Sequence, residues 1–462
     1  MNDFKRLYFI GIGGIGMSAL ARYFHHRGAR VCGYDRSPSV LTAELEAQGI
    51  GVQFDGARSQ APADVDLVVI TPAIPEHHPQ LRFYREQGYA IKKRAELLGE
   101  VTESMFTIAV AGTHGKTTTS AMIAHILKRS PLDCTAFLGG ICTNYASNFL
   151  AGPGNVAVVE ADEYDRSFLH LRPNVAIITS TDADHLEIYG DAQAMQDAFV
   201  EFCGRIVDGG TLFMRHGLPI ASRIGLPNSR TYAWCPRGSD YHARAIRMEG
   251  ATCYFDVKSP VEYISDLALR MPGYHNIENA VAAVAVTQAL GVSARLIRDA
   301  LGSFRGVKRR FEFVCDSPEL VFIDDYAHHP TELRALLGGV RAIYPRRKIT
   351  LVFQPHLFSR TRDLAAGFAE SLALADELIL LDIYAAREEA IAGIDARWLL
   401  DQIPMRNRSH CTLEQLAQRL QSSELDVLVT AGAGDIGQQI DSLKAALTPC
   451  QFGSNSPSHA PS

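Results

Sequence analysis

Phe106-Thr107-Ile108-Ala109-Val110-Ala111-Gly112-Thr113-His114-Gly115-Lys116-Thr117-Thr118-Thr119 is the stretch on which the reading of this chain turns. Its opening residues form an apolar run of strand length. Two glycines and a lysine interrupt that run, and a helix-forming segment follows. A strand, a glycine loop and a helix in this order present backbone N–H groups to phosphate. A lysine beside them neutralises the β/γ oxygens, and a hydroxyl reaches Mg²⁺. Gly112, Thr113, His114, Gly115, Lys116, Thr117 and Thr118 are therefore candidate ATP contacts. The spacing departs from Gly-x-x-x-x-Gly-Lys-[Ser/Thr], because Val110 stands where the first glycine is expected.

Upstream lies a second cradle. Leu7 to Ile10 is a short apolar strand that enters Gly11-Ile12-Gly13-Gly14-Ile15-Gly16 and then a helix to about Arg27. Such glycines permit a tight turn and close approach of a diphosphate to the helix start. Asp35 ends the next strand, Ala29 to Tyr34, where a carboxylate can accept from ribose hydroxyls. The pattern specifies a nucleotide diphosphate; a dinucleotide and a UDP-sugar satisfy it equally. Lys5-Arg6 and the apolar residues after it loosely imitate a secretory leader. Four glycines make a poor leader core, however, and cleavage would remove the first strand, so the segment is read as part of the fold.

Downstream, Val156 to Val159 is a strand ending at Glu160-Ala161-Asp162-Glu163, and Val175 to Thr179 leads to Thr181-Asp182-Ala183-Asp184-His185. A carboxylate at that strand end meets the metal in phosphate-loop folds, so Glu160, His185 and Thr117 are candidate ligands for Mg²⁺ or Mn²⁺. Each acidic turn alone would read as solvated surface. Residues 211–270 look irregular and β-rich, an excursion from the main sheet. Gly302 to Arg310 reads as a hinge. Strands at Leu320–Asp324, Lys348–Phe353, Glu377–Asp382 and Asp426–Thr430 form a third block.

The expected fold is α/β with three domains: a Rossmann-like domain over residues 1–102, a phosphate-loop domain over 103–305 and a second Rossmann-like domain over 306–450, with a disordered tail at 451–462. The length of 462 residues agrees with about three domains at ~150 residues each. Hydrophobic residues at 47% and charged residues at 21% exclude a disordered chain. A net charge of −6 argues against a nucleic-acid coat. No apolar run reaches the ~20 residues of a membrane span. Nine cysteines without a Cys-x-x-Cys pair read as reduced thiols of a cytoplasmic protein.

Taken in order, Gly-Thr-His-Gly-Lys-Thr-Thr-Thr, Glu160-Ala-Asp-Glu, His185, Gly273-Tyr-His275-Asn276-Ile-Glu-Asn279, Arg309-Arg310-Phe311 and Asp324-Asp325-Tyr326-Ala327-His328-His329-Pro330 closely resemble the Mur ligases of peptidoglycan synthesis, and among them the alanine-adding branch. The resemblance runs from about residue 7 to the Ala431-Gly-Ala-Gly segment. It implies ATP-dependent joining of L-alanine to the lactyl carboxylate of UDP-N-acetylmuramate. It places the UDP-sugar at Gly11, Gly13, Gly14, Ile15, Gly16, Asp35, Thr71 and Arg94. His275, Asn276 and Asn279 join the ATP pocket, with Arg310 near phosphate and Asp325 near ribose. His328 lies near the reacting groups, and Tyr326, His356 and Arg360 receive the amino acid. Lys116, Arg310 and His328 carry the chemistry.

Three departures accompany the likeness. Leu357 and Phe358 stand where His-Arg-Tyr-Thr-Arg is frequent, Thr71-Pro72-Ala73-Ile74 replaces Ser-Ser-Ala-Ile, and no lysine lies between Lys128 and Lys258 to be carbamylated. The competing readings are a ligase that recycles a preformed tripeptide, an NAD-dependent oxidoreductase using the first cradle, and a nucleotide switch without catalysis. A monomer or weak homodimer is expected.

Overall fold

The computed structural model describes residues 4–184, 186–386 and 388–447. By its internal contacts the chain forms two compact units, the second taking the short segment Met271–Gly273 and the chain from Lys308 onward. The first unit holds two sheets. Strands β1 (Arg6–Ile10), β2 (Arg30–Tyr34), β3 (Gly51–Gln53), β4 (Leu67–Ile70) and β5 (Ile91–Lys93) pair in parallel in the order β3-β2-β1-β4-β5. The chain order reverses at β1, so the loop after β1 opens into the crevice where such sheets bind ligands.

The second sheet is larger. It comprises β6 (Phe106–Ala111), β7 (Thr135–Cys142), β8 (Ser147–Leu150), β9 (Val156–Glu160), β10 (Val175–Ile178), β11 (Thr211–Arg215), β12 (Ser229–Ala233), β13 (Tyr241–Glu249), β14 (Thr252–Lys258) and β15 (Ile264–Leu269). Their spatial order is β15-β14-β13-β12-β11-β10-β6-β9-β7-β8. The expected excursion at 211–270 is thus corrected: these residues continue the main sheet, in parallel as far as β13 and then as an antiparallel meander. Val110 pairs with Glu160 and Ala111 with Ile178. That register brings the ends of β6, β9 and β10 to one edge of the sheet.

The two sheets of this unit share one buried core, which runs from Phe9, Leu20 and Leu97 to Ala109, Phe168 and Phe202. Tyr23, on the helix Ile15–His26, meets Phe137 and Phe149 with ring centroids 5.4 and 6.2 Å apart. Beside them Arg22, 5% exposed, reaches Asn148, Gln48 and Glu44. Asn148 donates to the carbonyl of Ile15 and to Ser18 Oγ, which ties β8 to the first glycine loop.

In the second unit β16 (Glu312–Asp316), β17 (Val321–Asp325), β18 (Ile349–Phe353), β19 (Glu377–Leu380), β20 (Arg408–His410) and β21 (Val427–Ala431) form a sheet ordered β16-β17-β21-β18-β19-β20, parallel except for β16. Strands β17, β18, β19 and β21 are apolar on both faces because helices cover both sides. Among the described residues eight cysteines are free, and no helix is long and apolar enough to cross a membrane. The expected tail at 451–462 lies outside the described residues.

Candidate active site

At the phosphate loop the glycines are required by geometry. Gly112 has φ +132°, and a Cβ there would run into Thr179 Oγ1. Gly115 has φ +81°, and its Cβ would lie 2.6 Å from Asn279 Oδ1. Gly115 begins the helix Lys116–Lys128 without a side-chain cap, so the first N–H groups of that helix are available to an anion. Thr113 Oγ1 lies 2.7 Å from Ser180 Oγ, which also accepts from the His114 N–H at 2.8 Å. Thr118 is buried in the same turn. Asn276 and Asn279 are buried on the first two turns of the helix Tyr274–Ala289, whereas His275 is exposed there.

Lys116 and Thr117 point into an acidic wall. Lys116 Nζ donates to the Gly112 carbonyl at 2.7 Å and lies 2.8 and 2.7 Å from the two carboxylate oxygens of Glu163. Thr117 Oγ1 donates to Glu160 Oε1 at 2.9 Å, and the Gly139 N–H donates to Glu160 Oε2 at 2.9 Å. Burial alone would drive Lys116 toward the neutral amine, but the carboxylates of Glu163, Asp162 and Glu160 outweigh it and hold the ammonium charged. A hydroxyl and a carboxylate side by side are the hard oxygen donors Mg²⁺ prefers, with phosphate completing its shell. His185, the third expected ligand, lies outside the described residues, and among those described no three His, Cys, Asp or Glu side chains converge on a metal position.

The first glycine loop is braced from within. Gly11 has φ +88°, with the Thr71 methyl 3.2 Å from where its Cβ would stand. Asp35 Oδ2 accepts from the Gly13 N–H at 2.7 Å, and Oδ1 accepts from the Arg36 N–H at 2.7 Å. The carboxylate expected to face ribose thus also holds the loop closed. Gly14 caps the helix Ile15–His26 without a side-chain bond, and Ile15 is 38% exposed beside it. Arg94 lies across Gly16, where a Cβ would be 3.0 Å from its Cδ, and its guanidinium is 3.8 Å from Asp162. A cleft between Arg94, Glu160, Asp162 and Ser167 opens beside it.

The third cluster belongs to the second unit. Asp324, fully buried, pairs with Arg309 Nε at 2.9 Å and accepts from Thr430 Oγ1 at 2.7 Å. Asp325 accepts from the N–H groups of Phe311 and Ala327, both at 2.7 Å. Its burial outweighs the pull of Arg310 and of these N–H groups and pushes its carboxyl up to about 6. Arg309 (φ +60°) and Phe311 (φ +49°) are left-handed, so the backbone turns sharply on either side of Arg310, whose guanidinium lies 5.2 Å from the Tyr326 ring centre. His328 Nδ1 is 2.9 Å from the Tyr326 carbonyl. A carbonyl only accepts, so Nδ1 carries the hydrogen and Nε2 is the basic nitrogen of the neutral ring. His356 meets His328 at 6.1 Å and stacks on Tyr384 at 5.7 Å. Arg360 sits on the short helix Phe358–Asp363, entered through Leu357 at φ +69°.

The family patterns for a Mur ligase catalytic domain, a Mur ligase middle domain and a Mur ligase glutamate ligase domain match residues 6–105, 110–287 and 309–434. The chain is 49% identical over 452 residues to the UDP-N-acetylmuramate–L-alanine ligase of Flavobacterium psychrophilum, a match covering 97% of this chain and 99% of the relative. The chain belongs to the Mur ligase family. In structure this Mur ligase is similar to the UDP-N-acetylmuramate–alanine ligase of Thermotoga maritima, with a TM-score of 0.83 at 31% identity over 95% of this chain and 98% of the other. The murein peptide ligase of Psychrobacter arcticus shares the fold, with a TM-score of 0.72 at 24% identity over 95% of this chain and 98% of the other.

Three residues of this Mur ligase gained no role from the sequence. Glu163 closes the acidic run Glu160-Ala161-Asp162-Glu163, and its place just beyond the end of β9 was the only available sign. Arg309 was overshadowed by its neighbour Arg310. Tyr384 follows β19 with no motif around it, yet its backbone bonds to both Pro355 and Leu357.

Proposed function

We infer that this Mur ligase joins L-alanine to the lactyl carboxylate of UDP-N-acetylmuramate with conversion of ATP to ADP and phosphate. The observation that carries the reading is the set Lys116, Thr117 and Glu160 gathered at one sheet edge by the pairing of Val110 with Glu160. A carboxylate resists an amine because its oxide leaves poorly. Transfer of the γ-phosphoryl group to it gives an acyl phosphate, from which phosphate departs readily after the alanine amine adds to the carbonyl carbon. Lys116 binds the β/γ oxygens, and Arg310 offsets charge on the transferred group. His328, through Nε2, takes the proton that the alanine ammonium must lose. His356, Arg360 and Tyr326 hold the amino acid, while Gly11 to Gly16, Asp35, Thr71 and Arg94 hold the UDP-sugar.

Thr117 and Glu160 would hold Mg²⁺, with His185 as a further ligand. Bound there, the ion would neutralise phosphate charge. We place the domain boundaries near residues 102 and 305, and the working chain in the cytoplasm as a monomer or weak dimer. ATP-dependent phosphate release with UDP-N-acetylmuramate and each amino acid in turn tests the activity, with a tripeptide as a further arm. Release with alanine is expected. Release with the tripeptide alone, or NADH oxidation without ADP formation, overturns the assignment.

A further inference from the structure

The acidic segment after β9 reaches in two directions. Asp162 lies 3.8 Å from Arg94, and Asp165 lies 3.3 Å from Lys93, the two cations where β5 gives way to the helix Arg94–Glu103. Glu163, between them, turns the other way. It is 1% exposed and holds Lys116 Nζ at 2.7 and 2.8 Å. The segment is set rather than slack. Tyr189 Oη donates to the Glu163 carbonyl at 2.6 Å, and Asp165 and Arg166 adopt φ +53° and +54°, a region L-residues seldom occupy.

Lys116 therefore already has an anionic partner where a nucleotide's phosphates are expected. The ammonium's donors are already directed at the Gly112 carbonyl and both Glu163 oxygens, so a phosphate oxygen arriving there competes with Glu163 and is repelled by it. Nucleotide binding therefore favours a displaced Glu163, and Glu163 shares its backbone with the residues that face Arg94 and Lys93.

We propose that Glu163 is a positioning residue that holds Lys116 in reserve and couples the two cradles. A UDP-sugar diphosphate takes Arg94 and Lys93 from Asp162 and Asp165, the segment loosens, Glu163 leaves Lys116, and the lysine turns to the phosphates of the second nucleotide. This rests on the reading of both cradles given above. Coupling of this kind is reciprocal, so each nucleotide tightens the other.

The test is calorimetric titration of ADP with Mg²⁺ into the full chain, with and without saturating UDP-N-acetylmuramate. In the native chain the sugar nucleotide lowers the ADP Kd about 5- to 50-fold, within the usual range for coupled sites. Glu163→Gln binds ADP as tightly without the sugar nucleotide as the native chain does with it, and the coupling disappears. A merely structural role predicts weaker ADP binding in that variant, never tighter. Asp162→Asn/Asp165→Asn, which cuts the link on the other side and leaves Glu163 in place, is expected to lose the coupling too. Native binding without coupling, or full coupling in either variant, overturns the inference alone. Absence of ADP binding by the native chain overturns the phosphate-loop reading beneath it.

Discussion

Replacing Lys116 by methionine keeps the side chain's length and removes its charge, leaving Glu163 at 1% exposure without the ammonium 2.7 Å away. Removing one member of a buried pair costs about 3–5 kcal/mol. The loss depends on pH, and its sign follows from the titration of Glu163. Burial pushes that carboxyl up and Lys116 pulls it down; without Lys116 the upward push of burial and of Asp162 is opposed only by the residue's own backbone N–H. A carboxyl with a folded pKa above its unfolded value stays neutral in the folded protein at low pH, so the penalty vanishes there. It grows as pH rises through the unfolded value and is complete above the folded one. The assay is urea unfolding followed by Trp234 fluorescence in a Trp398→Phe background, since the chain has two tryptophans. Lys116→Met should unfold at clearly lower urea than the parent at pH 8 and approach it at pH 5. Lys116→Met/Glu163→Gln should recover most of the difference, because removing both partners is far cheaper than removing one. Unfolding of Lys116→Met at the parent's urea concentration at pH 8, or an equal loss at both pH values, would refute the buried pair.

Thr117→Val removes the hydroxyl that donates to Glu160; activity should fall tenfold or more and need more Mg²⁺ to saturate, with only ~1 kcal/mol lost in unfolding. Gly115→Ala drives a Cβ to 2.6 Å from Asn279 Oδ1 and adds a left-handed penalty of roughly 1–2 kcal/mol. Its kcat/KM for ATP should drop about a hundredfold while calorimetry finds UDP-sugar binding unchanged. On the proposed reading Asp325, with its carboxyl at about 6, accepts from ribose far more strongly when ionised. The kcat/KM for ATP should therefore rise with pH through a midpoint near 6, and Asp325→Asn should flatten that limb.

What could be read from residues alone follows burial. Strands β1, β6, β17 and β18 are sandwiched between helices and spell themselves as unbroken apolar runs. Gly51–Gln53, Ile91–Lys93 and Arg408–His410 escaped notice because three-residue edge strands carry no such run and exist through pairing with β2, β4 and β19. Residues 211–270 seemed irregular because β13 is half-exposed, and its pairing with β14, like that of β14 with β15, is antiparallel and bulged. In the site, Lys116, Thr117 and Glu160 were legible because Glu160 ends a strand and Lys116 and Thr117 open a helix straight after a glycine loop. Glu163 and Asp324 were not, since their partners are distant in the chain: Glu163 acts on a lysine 47 residues earlier, and Asp324 on an arginine 15 residues earlier.

The continuous core beneath the first two sheets, pinned by Arg22 and Asn148, makes the two glycine cradles one casting instead of two jaws. On the proposed reading their spacing works as a gauge, because one core sets the distance between the loop that holds the diphosphate and the loop that holds the phosphoryl donor. Shortened or stretched analogues would be refused by dimension, before any contact with their reacting groups could matter.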